Sequence, residues 1–415
     1  MNGNNSSTYD LIVIGGGASG MMMAGRAGEL GAKVLLLEKN TVLGKKLSIT
    51  GGGRCNITNA TFDVREFLEK FPSAKDFLYS PFSKFSAKDS FTFFERLGLP
   101  LVVEARNRAF PKTQRAQDVV DALVSYMKQH DVRIKTNTKV TDISFAEDGT
   151  ACVTTKKSSH VATHVAIATG GFAAPTTGST GDGHAILQKL GHTIHQPNPN
   201  IVPLTVKERW VHDLSGTTLS FMTIRFMQGD KTKIKKTGKL LFTHFGLSGP
   251  LILNSAFEVK KLLADGPVRA SIDLFPDTQE NELDRRLWRL FEKHKNKQIK
   301  NVLHEILQKN LAETFLQFEG IVDPDTPVHS ITKEERKHMV KTMKDLTCTI
   351  TGTLGFDKAV IADGGVELTE IDFKTMSSTH FPSLYLLGDV LNINRPSGGY
   401  SLQLCWTTAW VQPRA

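Results

Sequence analysis

No stretch of the 415-residue chain approaches the roughly 18 uninterrupted apolar residues of a membrane-spanning helix, so a soluble protein without membrane segments is expected. Residues 11–25 are apolar enough for a signal segment, but they contain glycines, follow a polar start and lack a basic n-region. The four cysteines, Cys55, Cys152, Cys348 and Cys405, form no C-x-x-C or C-x4-C pair. That removes a disulfide framework, a zinc knuckle and dithiol redox chemistry, and it points to a reducing, cytoplasmic compartment with no bound metal. Tyrosine and tryptophan are scarce, 5 and 4 against 24 Phe, without the basic and aromatic interleaving of a stacking platform. Nucleic acid therefore receives little support as a partner. There is no internal repeat and no low-complexity tract.

Charge is not scarce. Lysine plus arginine exceeds aspartate plus glutamate by 51 to 42, a formal +9, with basic runs at 231–239 and 285–300. Such runs either contact an anionic surface or solvate a strand or helix face.

The densest information lies near the start. An apolar strand, residues 11–14, runs into Gly15-Gly-Gly17-Ala-Ser-Gly20, a helix-length segment follows, and a second apolar strand ends in Glu38. These are the parts of a dinucleotide fingerprint at the expected spacing. Gly15 permits the turn, Gly17 lets backbone N–H groups approach a pyrophosphate at the helix N-terminus, and Gly20 lets the helix lie on the sheet. Glu38 is placed to accept ribose hydroxyls and would repel a 2′-phosphate.

The periodicity predicts helices over 86–97, from a capping box at Ser86 and Asp89 to Gly98, and over 117–129, followed by a strand at 132–135. Alternating runs at 140–145, 151–155 and 161–168 predict a three-stranded antiparallel meander whose last strand returns to the main sheet and ends in Thr169-Gly-Gly171. Residues 195–203 read as a proline-rich hinge. Beyond it come β-type runs at 223–226, 239–243 and 268–274, then helices over about 278–297 and 300–318, and a third opening at the capping box of Thr332 and Glu335. A last apolar strand ends in Gly388-Asp389. The predicted segmentation is a first nucleotide-domain part over 1–195, an inserted β-rich lobe over 196–275 with 331–354, a small helical lobe over 276–330, and the second nucleotide-domain part over 355–415.

A fingerprint at one end, Thr-Gly-Gly after a meander and Gly-Asp near the other end favour a flavin over a nicotinamide, because FAD is long and needs contacts far along the chain. Asp389 is placed for the ribitol or pyrophosphate side. Gly398-Gly399-Tyr-Ser-Leu-Gln403 reads as a glycine-led helix start whose N–H groups and positive dipole end face the flavin N1 and C2 carbonyl. Residues 43–59, with Gly51, Gly52 and Gly53 between Lys45, Lys46 and Arg54, form a cationic, flexible surface suited to a pyrophosphate or a flavin edge.

Residues 44–59, with Phe242-Thr-His-Phe-Gly-Leu-Ser-Gly-Pro250, Gly178-Ser-Thr-Gly-Asp-Gly183 and Ser397-Gly-Gly-Tyr400, closely resemble bacterial FAD-dependent proteins of the aminoacetone oxidase family, and the resemblance spans nearly the whole chain. It implies an α/β fold, a glutathione-reductase-type FAD-binding Rossmann domain with an inserted β-barrel lobe and a small helical lobe. It places Gly15, Gly17, Gly20, Glu38, Lys45, Lys46, Gly53, Arg54, Val140, Gly170, Asp389 and Gly399 near the FAD, and the neighbouring Ala18, Ser19, Lys39, Gly51, Gly52, Cys55, Asn56, Thr169, Gly171, Gly388, Gly398 and Tyr400 are further cofactor-binding candidates. Family members are associated with oxidation of aminoacetone, with reduction of unsaturated steroid-type substrates, and with no known reaction. Two positions depart from the family pattern: Asp389 stands where Glu is common, and Arg395 where a small residue is usual. Pro413 would also cut short a helix that the family continues.

No second strand-linked G-x-G-x-x-G is present, since Gly246-Leu-Ser-Gly249 and Gly352-Thr-Leu-Gly355 lack the context. The leading expectation is therefore an oxidase: a small amine such as aminoacetone gives up a hydride to FAD, and dioxygen takes the electrons to form hydrogen peroxide. His244 is the candidate base, with Tyr400 and Arg54 as further pocket residues; Cys55 either touches the flavin or is a small buried residue. The rival classes are an NAD(P)H-dependent reductase of an activated alkene or quinone, and a non-catalytic or RNA-associated flavoprotein. Oligomeric state is open.

Overall fold

Strand β1 (Tyr9–Ile14) is buried along nearly its whole length, as a central strand of a parallel sheet must be. The computed structural model describes residues 8–410, so Pro413 lies outside the described residues. These divide into two units, one reaching to Pro199 and resuming at Phe356, the other Asn200–Gly355.

In the first unit, α1 (Ala18–Glu29) follows β1 and leads to β2 (Val34–Leu37), which pairs parallel with β1. Helix α2 (Ala87–Arg96) starts at the Ser86 and Asp89 capping box, and α3 (Ala116–Gln129) lays Val119, Val120, Leu123 and Met127 into the core. β3 (Arg133–Lys135) joins β2 in parallel. The meander forms as expected: β4 (Val140–Phe145), β5 (Ala151–Thr155) and β6 (Ser159–Ile167) pair antiparallel, and β6 returns beside β1 in parallel.

The proline-rich segment differs from the predicted hinge. Residues Ile194–Asn200 form a strand paired only with Ile361–Val366, and in a two-stranded sheet Pro197 and Pro199 forfeit no ladder bond on an outer edge.

The second unit is built on a closed barrel of β7 (Leu204–Val206), β8 (Thr218–Gln228), β9 (Lys231–Thr243), β10 (Gly246–Ser248), β11 (Val268–Asp273) and a later strand. Helix α4 (Glu280–Lys293) buries Leu283, Leu287, Leu290 and Phe291. The predicted helix over 300–318 is broken: only α5 (Lys309–Phe315) is α-helical, preceded by two 3-10 turns. The N–H groups of Ile299 and Lys300 bond to the carbonyls of Thr326 and Pro324, and those of Val302, Glu305 and Ile306 bond three residues back, the pattern of 3-10 turns, so no continuous α-helical ladder forms there. Helix α6 (Lys333–Lys344) opens at the predicted box and donates Arg336 to Asp284 of α4 at 2.8 Å; β12 (Leu346–Thr353) closes the barrel.

Returning to the first unit, β13 (Leu384–Leu386) adds to β6 in parallel, and α7 (Tyr400–Trp410) follows. Helix α7 is fixed from inside. Fully buried Gln403 accepts from Thr58 Oγ1 at 2.6 Å and Ser90 Oγ at 2.8 Å and donates to Thr407 Oγ1 at 3.0 Å, while Trp406 Nε1 donates to the Ile57 carbonyl. Gln403→Leu keeps the volume but strips these hydroxyls of their partner, so chemical denaturation should show a loss of about 2–3 kcal/mol. A loss under 0.5 kcal/mol, on the same scale, would mean that the network contributes nothing net.

Candidate cofactor site

The turn after β1 is built by backbone contact. A Cβ on Gly15, at φ +105, would lie 2.6 Å from the Ala168 carbonyl oxygen, and one on Gly20 would lie 1.8 Å from the Gly15 carbonyl oxygen. Gly17 differs. Its φ is −84, a Cβ there would meet nothing within 4 Å, and its bare face opens into a cavity of ≈ 410 Å³ lined wholly by the first unit. That volume lies within the range of small-molecule and cofactor pockets.

At one end of the cavity Glu38, 7% exposed, holds the turn in shape: Oε2 accepts from the Gly16 N–H at 2.6 Å and Oε1 from the Asn40 N–H at 2.7 Å. Lys39 and Lys139 reach Asp182 at 2.5 and 2.9 Å, and Val140 and Thr138 line the wall between them. Burial raises the Asp182 carboxyl, but the two ammonium groups outweigh it and hold it below its ordinary value. Glu38→Gln would aim an amide N–H₂ at one of two backbone donors. FAD should then dissociate at least tenfold faster, the effect of losing about 1.5 kcal/mol, as read by flavin fluorescence on dilution.

Along the middle lie Lys45, Lys46, Gly51, Gly52 and Asn56. Gly51, Gly52 and Gly53 all have left-handed φ, +58, +69 and +83, and a Cβ on Gly52 or Gly53 would meet nothing within 4 Å. The Asn56 carboxamide, oriented to satisfy both its ends, donates to the Thr58 and Ala109 carbonyls and accepts from the Gly399 N–H at 2.9 Å. The glycine loop is thereby tied to the start of α7. Gly399 consequently brings its backbone close, with its own N–H spent inside the protein, a departure from the expectation that its N–H faces the flavin.

At the far end Asp389 lies in the lining with Gly398, Gly399, Ser401 and Cys405. The Arg395 guanidinium bonds to Asp389 Oδ1 and also to the Ile393 carbonyl at 2.7 Å and Ser401 Oγ at 3.1 Å; Lys46 Nζ stands 3.9 Å from Asp389 Oδ2. Burial raises the Asp389 carboxyl, yet Arg395 and Lys46 together hold it below the usual carboxylate value. Lys46 is lowered, mainly by burial, which Asp389 opposes; burial and the nearby carboxylate push the Cys405 thiol up to about 11. The short Asp389 and the long Arg395 thus act as a unit.

Several sequence-predicted residues stand behind the wall. Arg54 donates to Glu104 and Gln114, both at 2.9 Å, with its guanidinium 4.1 Å from the Phe110 ring centroid. Tyr400 packs its ring against Phe67 and Phe71. Cys55 is fully buried, with its thiol pushed up to about 12. Gly53 is exposed beside the lining. A Cβ on Gly171 would lie 3.0 Å from the Asp389 carbonyl, and one on Gly388 2.3 Å from Ser19 Oγ, so these glycines position the cavity rather than line it. His244 belongs to the second unit, exposed at the two-residue turn between β9 and β10, against the Phe245 ring. Lining residues the sequence did not single out include Leu47, Thr50, Ile186, Ile361, Ser401 and Cys405. Only spatial convergence marks them.

The residues fit FAD. One end offers a glycine turn, a helix N-terminus and a carboxylate, the adenosine chemistry. The other offers an open glycine loop, two lysines and a charged pair, suited to the pyrophosphate, ribitol and flavin edge. Among the described residues His192, Glu370 and His380 could approach a metal ion, and none of them lines the cavity. No helix among the described residues is long and apolar enough to cross a membrane.

A family profile described as HI0933-like protein Rossmann domain matches residues 9–415. The ribosomal RNA dihydrouridine synthase of Escherichia coli is 29% identical over 97% of this chain and 96% of its own. The 3-dehydro-bile acid delta(4,6)-reductase of Clostridium scindens is 27% identical over 97% of this chain and 98% of its own. Among solved structures, the 3-ketosteroid-delta4-(5alpha)-dehydrogenase of Rhodococcus jostii shares the fold with a TM-score of 0.54 at 13% identity, over 99% of this chain and 97% of that one. The α/β fold contains a Rossmann-type FAD-binding domain, and FAD is the cofactor.

Proposed function

The chain belongs to the HI0933-like Rossmann-domain family of FAD-dependent oxidoreductases, and from that premise we propose that it reduces a carbon–carbon double bond conjugated to a carbonyl, in a uridine base of an RNA, with NADH or NADPH as reductant. The observation that carries this reading is the pair of relatives that cover nearly the whole chain under different substrate names. Making dihydrouridine adds two hydrogens across the uracil C5–C6 bond, which is conjugated to the C4 carbonyl; a delta(4,6)-reductase named for a 3-dehydro substrate acts on the same electronic arrangement. FAD, once reduced by the nicotinamide, would supply the hydride that such an electron-poor carbon accepts, with a proton completing the addition.

The residues of the chain bind and orient. The Gly15–Gly17 turn and Glu38 would hold the adenosine half, Lys45, Lys46 and the Gly51–Gly52 loop the middle, and Asp389 with Gly398 and Gly399 the opposite end. The positive end of α7, with Lys46 and Arg395, favours negative charge at that end. Leu47, Ile361 and Leu402 give the cavity an apolar wall.

The test is anaerobic. Purified holoprotein should lose its flavin absorbance with NADPH or NADH and regain it when protein-free ribosomal RNA is added, with uridine in that RNA gaining two hydrogens by mass. Bleaching by aminoacetone but not by either nicotinamide, followed by peroxide release in air, would overturn this reading in favour of the amine oxidase.

A further inference from the structure

The second unit carries a basic face that the cofactor cavity does not use. Within β9 the residues Gly238, Leu240 and Phe242 point into the barrel, and the alternate positions Lys235, Thr237 and Lys239 are exposed, as are Lys231 and Lys233 nearer the turn. None of these four lysines has a carboxylate partner among the described residues, whereas Lys236 is committed to Glu258. Arg225 of β8 stands in register with Lys235 but is committed to Ser271 Oγ at 3.0 Å and to Asp345 at 3.5 Å, and Thr223 stands in register with Thr237, joined Oγ1 to Oγ1 at 2.6 Å. The ladder then shifts register between Leu219 and Met222, and there Phe221 projects with 54% of its surface exposed, across from Lys239.

We propose that this outer face of the β8–β9 hairpin docks a strand of RNA, with Lys233, Lys235 and Lys239 on phosphates and the Phe221 ring under a base. The inference rests on the reading of an RNA substrate given above. Alternate residues of a strand are about 6.7 Å apart, close to the spacing of successive phosphates along a nucleotide chain, so Lys235 and Lys239, two such steps apart with Thr237 between them, match every second phosphate, and Lys233 flanks them at a second register shift. An exposed ring beside them supplies the stacking that every base can accept. Lysines on an exposed strand also discourage edge pairing with a second chain. That role does not call for an exposed phenylalanine. The fall of polar face and aromatic ring on one side of a two-stranded ribbon is the arrangement by which single strands are held without reading their sequence.

The test uses the full-length holoprotein and protein-free ribosomal RNA, measuring affinity against salt in three proteins: wild type, the triple variant K233Q/K235Q/K239Q, and Phe221→Ala. Wild type should show a steep salt dependence. The triple variant should bind roughly tenfold or more weakly, with the slope of log affinity against log salt shallower by about 2, the release expected for three lost phosphate contacts on a single strand. Phe221→Ala should lose roughly tenfold with its slope unchanged, the mark of lost stacking. FAD content and NAD(P)H-driven bleaching should be the same in all three. Equal affinity of the triple variant and wild type overturns the proposal even if dihydrouridine forms. Loss of RNA binding in the variants supports it even if no uridine is reduced, in which case the substrate reading fails by itself. No binding by wild type at 150 mM salt, where the screening length is about 8 Å, also overturns it and leaves the face to a protein partner.

Discussion

Arg395→Met is expected to cost about 3–5 kcal/mol of stability, the range found when one partner of a buried ion pair is removed, and to release FAD from the purified protein. Arg395 is 4% exposed and every donor it directs inward has an acceptor: Asp389 Oδ1, the Ile393 carbonyl and Ser401 Oγ. Methionine fills much of the same volume but leaves the Asp389 carboxylate facing only Lys46 across 3.9 Å. A carboxylate so placed must take up a proton or draw in water, and either change alters the charge of a cavity wall. The double variant Asp389→Asn/Arg395→Met should recover a large part of the stability, because no unpaired charge remains, without recovering FAD. The pair also predicts the pH response. The folded-state value for Asp389 is lowered, so its contribution is fully present above the ordinary value of 3.8 and is lost as pH falls through the folded value. Wild type should therefore lose stability more steeply below about pH 4 than Arg395→Met does. Denaturation midpoints from pH 7 to pH 3, with flavin retention on a desalting column, check both parts. If Arg395→Met melts with wild type and stays yellow, the ion pair is not what shapes that end of the cavity.

Gly20→Ala and Gly17→Ala should separate folding from cofactor binding. A Cβ on Gly20 would sit 1.8 Å from the Gly15 carbonyl oxygen, a backbone atom that can move only if α1 lifts off the sheet. The expected result is a protein that accumulates poorly and unfolds several kcal/mol more easily, comparable with severe overpacking. A Cβ on Gly17 would meet no protein atom within 4 Å, and its backbone is one that alanine adopts freely. Apo Gly17→Ala should therefore unfold within about 0.5 kcal/mol of apo wild type, as for a substitution that touches nothing. Its new methyl group would stand where the pyrophosphate approaches the helix N-terminus, and FAD affinity should drop at least tenfold. Calorimetry of the apoproteins and FAD titration by fluorescence quenching distinguish the two. A Gly17→Ala protein that binds FAD like wild type would move the pyrophosphate away from this turn.

Much of the first unit was legible in local pattern. The β1 turn, Glu38 at the tip of β2, the capping box of α2, the meander and the glycine-led α7 depend on residues within a few positions of each other, and each formed where expected. Two segments resisted. Residues 195–200 carry prolines that read as a hinge, yet they become a strand because Ile361–Val366, more than 160 residues later, supplies a partner. Residues 300–308 carry helix-compatible spacing, but the N–H groups of Val302, Glu305 and Ile306 bond three residues back, in 3-10 turns anchored at their start to the carbonyls of 324 and 326.

By itself the sequence determined the tool: glycines with no room for a side chain, an acidic residue one strand later and a second glycine-led helix commit the chain to FAD, because those constraints are written in short-range spacing. Only the tertiary structure decided which residues face the cavity. Arg54, Cys55 and Tyr400, chosen for their chemistry, turned to Glu104, the protein interior and Phe67, while Asp182, Arg395 and Cys405 came together around the site from distant positions. A side chain's direction is settled by burial and by the partners that long-range pairing brings to it, and neither is encoded in its immediate neighbours.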